Sequence, residues 1–419
     1  MPTLTIEKMK MLRTKAEELM KEIVLSKKYP LNQIDEVYNE IFGTSEKTSN
    51  CSSCIEQKTN RIKDWLKNEG VANMYEILVP SNELFMKLIK SEDSLPLGLL
   101  NGKMGLCLYL FSKSRRTSND ELEAEAVKIL DNIIRDLKKN VSLDFDNGML
   151  GIAITLDYLI KNKYMANDVN AMLKGTDDWI ITRINNKNFR ADSRLLLSLA
   201  YYFTMRLKDQ QQGSDEEYIF REIIIKLVND LHTEDHSSLF EEPFSFSMDY
   251  QLPLYIYILG KIYELGFYNY RIIKILEELS TRIITYIPLS HSHRLSLVCA
   301  MKTVTARVEP GGWDNHIRIL KREIDIQHIL NKELLNCHVG ISDGVAGIYF
   351  LLKFHNQIFS DAEHIGFTPE LFIERISSSE IWKYYADDVA FLFQNRGLAN
   401  GLTGILLALD DMEELALKK

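Results

Sequence analysis

Several groups of side chains in this 419-residue chain have the types and spacing to hold a metal ion or move a proton. LLNCHVGISDGVAGIYFLLKF, from Leu334 to Phe354, sets Cys337 beside His338, then Ser342 and Asp343 ahead of a Gly-x-x-Gly and an apolar run. In SHSHRLS, His291 and His293 alternate with serines, so in an extended loop both rings would point the same way. That spacing suits ligation, with simple solvation as the alternative. Cys51-Ser-Ser-Cys54 has metal-knuckle or redox spacing. No second Cys-x-x-Cys completes a zinc site and no strand-to-helix context suits a thioredoxin-like motif, so the pair reads as non-catalytic and loop-borne. His232 and His236 would share a helix face only if the helix ran past Thr233-Glu234-Asp235, which looks like its end. Trp313, behind the helix-breaking Pro310-Gly311-Gly312, suits either structural packing or contact with a peptide. Cys107 and Cys299 lie in apolar helical runs and read as buried.

The elements that must position these groups are helices. Met9, Leu12, Ala16, Leu19 and Ile23 recur at three-and-four spacing, as do Leu122, Ala126, Ile129, Ile133 and Leu137. Tyr218 to Leu231 and Tyr270 to Tyr286 carry the same single stripe, whereas Leu252 to Leu265 is apolar nearly all round, as in a helix buried on most sides. Strand alternation is hard to find.

Four apolar runs share one start: NGKMG at Asn101, NGMLG at Asn147, DGVAG at Asp343 and NGLTG at Asn400. Asn or Asp ahead of a helix predicts a side-chain cap, and two small residues one turn apart predict close backbone approach. There is no preceding strand, Walker lysine or Rossmann spacing, so phosphate binding does not account for the motif. An internal repeat does. Gly102 to Gly148 spans 46 residues and Gly344 to Gly401 spans 57, while the 196 residues between Gly148 and Gly344 hold four intervals of 49. Three decayed starts fall there, at Ser193, Tyr250 and His293, which makes seven helix pairs.

This pattern resembles the lanthionine synthetase C-like family, which includes the lanthipeptide cyclases. GKMG, GMLG, GVAG and GLTG are similar to its signatures, and NRGLANGLTGILLALDDM looks like its last repeat. The resemblance implies an all-α fold, an α/α toroid of about seven inner and seven outer helices over residues 91–419, preceded by an N-terminal helical segment, 1–90. It also implies a zinc ion held by two cysteines and a histidine, with a second histidine as acid or base. A zinc-held thiolate adds to a dehydrated serine or threonine of a precursor peptide, and the enolate is then protonated.

Aligned repeat by repeat, this chain departs from that site. Tyr250 stands where the family has the histidine of the fourth repeat, His291 at the cysteine of the fifth, and Ser342-Asp343 at the Cys-His of the sixth. His291 and Asp343 remain as metal-ligand candidates, with Asp343 and Tyr250 as catalytic ones. Zinc is the implied cofactor, with its family ligand set lost. Cys337-His338, five positions upstream, reads as unrelated to the missing pair. The expectation is a diverged component of ribosomal peptide modification that binds a precursor peptide or a peptide-modifying enzyme. An active metal-dependent cyclase with altered ligands and a non-catalytic helical adaptor are the alternatives. Paired carboxylates for glycan hydrolysis are not found at matching repeat ends.

Composition bounds these readings. With 46% apolar and 26% charged residues the chain is globular, and a formal charge of -9 argues against general nucleic-acid binding. No run approaches a transmembrane length, and the start lacks the apolar core of a signal peptide. Five cysteines, an odd number, suit a reducing compartment, so a cytoplasmic location is expected.

Overall fold

The computed structural model describes residues 12, 14–16, 18–20, 23, 29–42, 44, 45, 47, 54–63, 65, 66, 79–90, 95–137, 141–233, 238–358 and 368–417. Cys51 and His236 lie outside the described residues. Among those described, every regular element is a helix, and no helix is long and apolar enough to cross a membrane.

The chain divides into two compact units, Met1–Glu83 and Leu84–Lys419. The first is built around Ala16, Leu19, Ile23, Ile34, Val37, Tyr38, Ile41 and Ile62, with helix α1 (Leu31–Phe42) supplying four of these. A Lys58–Asp35 ion pair of 2.8 Å joins two parts of this unit. Helix α2 (Val79–Lys90) carries the boundary between the units.

In the second unit, apolar helices alternate with amphipathic ones. The apolar members are α3 (Lys103–Thr117), α5 (Met149–Lys161), α7 (Ser193–Leu207), α9 (Gln251–Tyr263), α11 (His291–Thr305), α13 (Val345–Ile358) and α17 (Leu402–Leu417). Between them lie α4 (Asp120–Asp136), α6 (Val169–Ile184), α8 (Asp215–Thr233), α10 (Asn269–Ile283), α12 (Trp313–Arg322), α14 (Pro369–Ser377), α15 (Ile381–Asp387) and α16 (Val389–Gln394). Each apolar helix from α3 to α13 packs on the amphipathic helix that follows it. The apolar helices also pack on one another in chain order, and α17 packs back on α3. Burial explains the composition: Leu150, Ile152, Leu156 and Leu159 of α5 are all buried, each contributing about 1.5–3 kcal/mol. Between α6 and α7, the fully buried Arg206 donates to Asp177 at 2.7 Å and Tyr202 donates to the same carboxylate at 2.5 Å. This network fixes the register of the two helices.

The Gly-x-x-Gly starts are part of a longer device. Seven residues before each of these helices begins, the chain turns back and its carbonyls accept the helix's first N–H groups. Lys103 donates to Pro96 at 2.7 Å, Met149 to Ser142 at 2.9 Å, Val345 to His338 at 3.1 Å and Leu402 to Asn395 at 2.9 Å. The expected Asn or Asp side-chain cap is therefore wrong for α3 and α5. Their N-caps are Gly102 and Gly148, in extended conformation and without a side-chain cap bond, because main-chain carbonyls already hold the donors. A Cβ on Gly344 would lie 2.6 Å from Gly340 N and His338 C, and one on Gly102 would lie 2.6 Å from Gly98 N. The wrap closes over these glycines only because they have no side chain.

Neighbouring wraps interlock. A Cβ on Gly340 would lie 2.7 Å from Asn400 Cα, and one on Gly397 would lie 2.9 Å from Asn101 Cα. One on Gly98 would overlap the Asn147 backbone. Main-chain bonds continue the series: Leu100 N–H donates to Asp146 at 2.8 Å, Ala399 to Leu100 at 2.9 Å and Ser342 to Ala399 at 2.9 Å. Met248, ahead of α9, then donates to Ser342 at 2.8 Å. The segment before α9 thus reaches the wrap before α13 directly.

Gly98→Ala should collide with the Asn147 backbone and lower stability by more than about 3 kcal/mol. Gly175→Ala, on the exposed face of α6 with nothing within 4 Å, should instead raise it by about 1 kcal/mol. Urea unfolding of the two variants checks both signs.

Candidate functional site

Two of the three decayed starts, those of α7 and α11, use side-chain caps in place of the wrap, while α9 has none. Asp192 accepts from Leu195 N–H at 2.8 Å to start α7. At α11 the cap is more elaborate. Glu242 accepts from Leu289 N–H at 2.7 Å and Ser290 N–H at 3.0 Å, and Glu333 accepts from His291 N–H at 2.6 Å and Ser292 N–H at 3.0 Å. Ser290 Oγ accepts from His293 N–H at 3.2 Å. Five consecutive donors at a positive helix end are satisfied by two carboxylates and a hydroxyl.

His291 and His293 are not in an extended loop; they occupy the first turn of α11 and diverge. His293 is fully buried, and its Nδ1–H donates to Glu242 at 2.8 Å. Its Nε2, buried without a partner among the described residues, lies in an aromatic surround that includes Tyr250, 5.0 Å away between ring centroids, and Phe246. Burial raises the Glu242 carboxyl, but the Ser290 and Leu289 amides and the His293 ring outweigh it and hold the group below the usual glutamate range.

His291, His328 and Glu333 bring ligand atoms within 4.8 Å of one another, close enough for one metal ion to be considered. The imidazoles stack with centroids 4.4 Å apart. However, Asp325 N–H donates to His291 Nδ1 at 3.0 Å, which uses that lone pair and leaves the proton of the neutral ring on Nε2. Burial lowers the His291 pKa, which favours the neutral ring. An ion would have to displace the Asp325 amide or the Nε2 proton, so this is a weak metal site.

Asp343, the other metal candidate, sits apart from this trio. Its charged neighbour is His338; those of His291 are Glu333, His328, Arg294 and Asp325. Burial raises the Asp343 carboxyl above the usual aspartate range, against the pull of His338. Although His338 lies five positions upstream in sequence, the wrap folds its backbone back beside Gly344, with its carbonyl capping Val345. Cys337 is an exposed free thiol.

Tyr250 is the buried N-cap of α9, and its hydroxyl lies 2.9 Å from that of Tyr286. Burial pushes its phenol well above the usual range, which removes it as a base near neutral pH. Trp313 is fully buried at the start of α12, with Nε1–H on Ser280 Oγ at 2.8 Å, so its role is packing. Its loop joins α11 to α12 within one helix pair. His232 pairs with Glu278 at 3.2 Å, and Cys107 and Cys299 are buried as expected.

Sequence reasoning missed Glu242, Glu333 and His328, which belong to no motif and act through tertiary contacts. It also missed a cavity of about 440 Å³ lined from α5, α7, α9 and the wraps before α3, α5, α13 and α17. The walls are mainly apolar, with Phe145, Ile154, Leu197, Leu254 and Ile341 among them. At its rim Arg194 is 2.9 Å from both Asp146 and Asp249.

The implied zinc does not fit the aligned positions. Ser342 offers neither thiolate nor imidazole; its N–H donates to Ala399 O and Asn400 Oδ1 and its carbonyl accepts from Met248. His291 and Asp343 have different partners. The chain matches no family model and no curated protein sequence.

Equilibrium dialysis against zinc should give the same metal content in the native protein and in His291→Ala. A stoichiometric ion lost in that variant would mean that the metal displaces the His291 partners. Because the folded Glu242 pKa is depressed, its stabilising contribution is present above the unfolded value, about 4.3, and is lost as pH falls through the lower folded one. Melting temperatures of the native protein and Glu242→Gln should therefore converge as pH drops below about 4.

Proposed function

We propose that Leu84–Lys419 is a lanthionine synthetase C-like α/α toroid, seven apolar helices inside and their amphipathic partners outside. Its function in this reading is to bind a peptide, either a precursor or a segment of a peptide-modifying enzyme, as a diverged component of ribosomal peptide modification. The cyclic packing order of the apolar helices and the interlocked Gly-x-x-Gly wraps support the fold. The observation that carries the function is the cavity among those helices. Its volume of about 440 Å³ and largely apolar lining suit side chains of a bound segment. Arrangement of the His291, Ser342 and Asp343 positions favours binding over zinc-thiolate cyclisation, since the three do not form one ligand set.

Peptide display against the purified protein tests this reading, with Ile154→Trp, which fills the cavity, as the counter-target. Sequences that bind the native protein and lose binding to a variant of unchanged melting temperature are expected. If no selected sequence depends on the cavity, the binding reading is wrong.

A further inference from the structure

The cavity rim carries more negative charge than it neutralises. Arg194 from α7 reaches across the rim to Asp146, ahead of α5, and to Asp249, ahead of α9. Arg194 is the only cationic residue lining the cavity among the described residues. Two carboxylates, Asp146 and Asp249, therefore meet one guanidinium, and Asp144 adds its charge behind Asp146. Burial and the two neighbouring aspartates raise the Asp146 carboxyl, and Arg194 only partly opposes them. Asp249 meets Arg194 through Oδ1 and its side chain is half exposed, so its carboxylate stays accessible to a second cation. Asp144 is already committed to Asn147 N–H and Ser142.

Below the rim the surface changes character. Phe145, Leu197, Leu254 and Ile341 form an apolar wall, interrupted by Gln251. Gln251 Oε1 is buried with no hydrogen-bond partner among the described residues, and an unpaired buried acceptor carries a desolvation penalty that a bound donor removes. An apolar recess, one unpaired acceptor in its lining and an acidic rim form a graded site. Burial of an aliphatic or aromatic side chain supplies most of the attraction there, and the charge at the rim selects what is attached to it.

Resting on the peptide-binding reading, we propose that this cavity selects a peptide segment in which a large apolar residue adjoins a positive charge. The apolar side chain enters the recess, an amide N–H of the segment meets Gln251 Oε1, and a lysine, arginine or free amino terminus sits against Asp249 and Asp146. An acidic segment is rejected, because it adds a third negative charge to a rim with one arginine.

The test uses the full chain and three acetylated, amidated tripeptides, measured by isothermal titration calorimetry at low salt. The first contains leucine, phenylalanine and lysine; the second has glutamate for lysine; the third keeps lysine but has serines for the apolar pair. The first is expected to bind about tenfold more tightly than the second, and the third not to bind measurably. Asp249→Asn should reduce the preference for lysine over glutamate to less than about threefold with no loss of melting temperature. Equal binding of the lysine and glutamate peptides, a preference that survives in Asp249→Asn, or no binding of the first at about 5 mM would overturn the proposal. The display selection separates this failure from that of the binding reading. Cavity-dependent sequences without a basic residue beside the apolar anchor would remove the charge rule and leave peptide binding intact.

Discussion

A chain that folds back over a glycine and uses its own carbonyls to cap the following helix is the constraint on which the second unit depends. Helix N-terminal amides must be satisfied, and at α3, α5, α13 and α17 the wrap does so from seven residues upstream. The same wrap exposes its outer edge to the next one, and Gly98, Gly340 and Gly397 let neighbouring backbones touch. Capping and helix-to-helix docking are thus one interaction. A Cβ at any of these glycines would disturb both together.

Where the glycines are lost, different chemistry takes over. The start of α11 is held by Glu242, Ser290 and Glu333, so carboxylates replace main-chain carbonyls. The segment before α9 then bypasses α11 and joins Ser342, with Phe246 placed so that Gly347 has no room for a Cβ. In the proposed lanthionine synthetase C-like reading, that region is where the family's metal would sit. Here His293 is buried among Phe246 and Tyr250, while the His291 ring stacks on His328 and accepts from Asp325 N–H, and its amide donates to Glu333. Groups that look catalytic in isolation are occupied with helix-end bonding.

The cavity lies among the apolar helices, away from the residues that cap α11. Its walls are mainly apolar, and Arg194 and Asp249 are the charged residues in its lining, with Asp146 paired to Arg194 behind them. Such a surface can bind without performing covalent chemistry. In the proposed reading its selectivity follows from charge balance around Arg194, whose two partners come from different helix starts.

Much of the helical framework was legible in the sequence, because period-3.6 patterning and four matching Gly-x-x-Gly starts report directly on burial and close approach. Leu252 to Leu265 read as a helix buried on most sides, and α9 is one. Intervals between glycines also called for three further starts, and the apolar runs placed those of α7, α9 and α11 to within about two residues. The site was not legible in the same way. His291 and His293 looked like a pair because sequence spacing cannot tell an extended loop from the first turn of a helix, where adjacent odd positions diverge. Glu242 and Glu333 lie roughly 50 and 40 residues from the amides they cap, so only tertiary structure could assign their roles. Likewise Arg194, Asp146 and Asp249 are unremarkable charges until three helix starts converge. Local periodicity determines which residues are buried; long-range packing decides which polar groups meet.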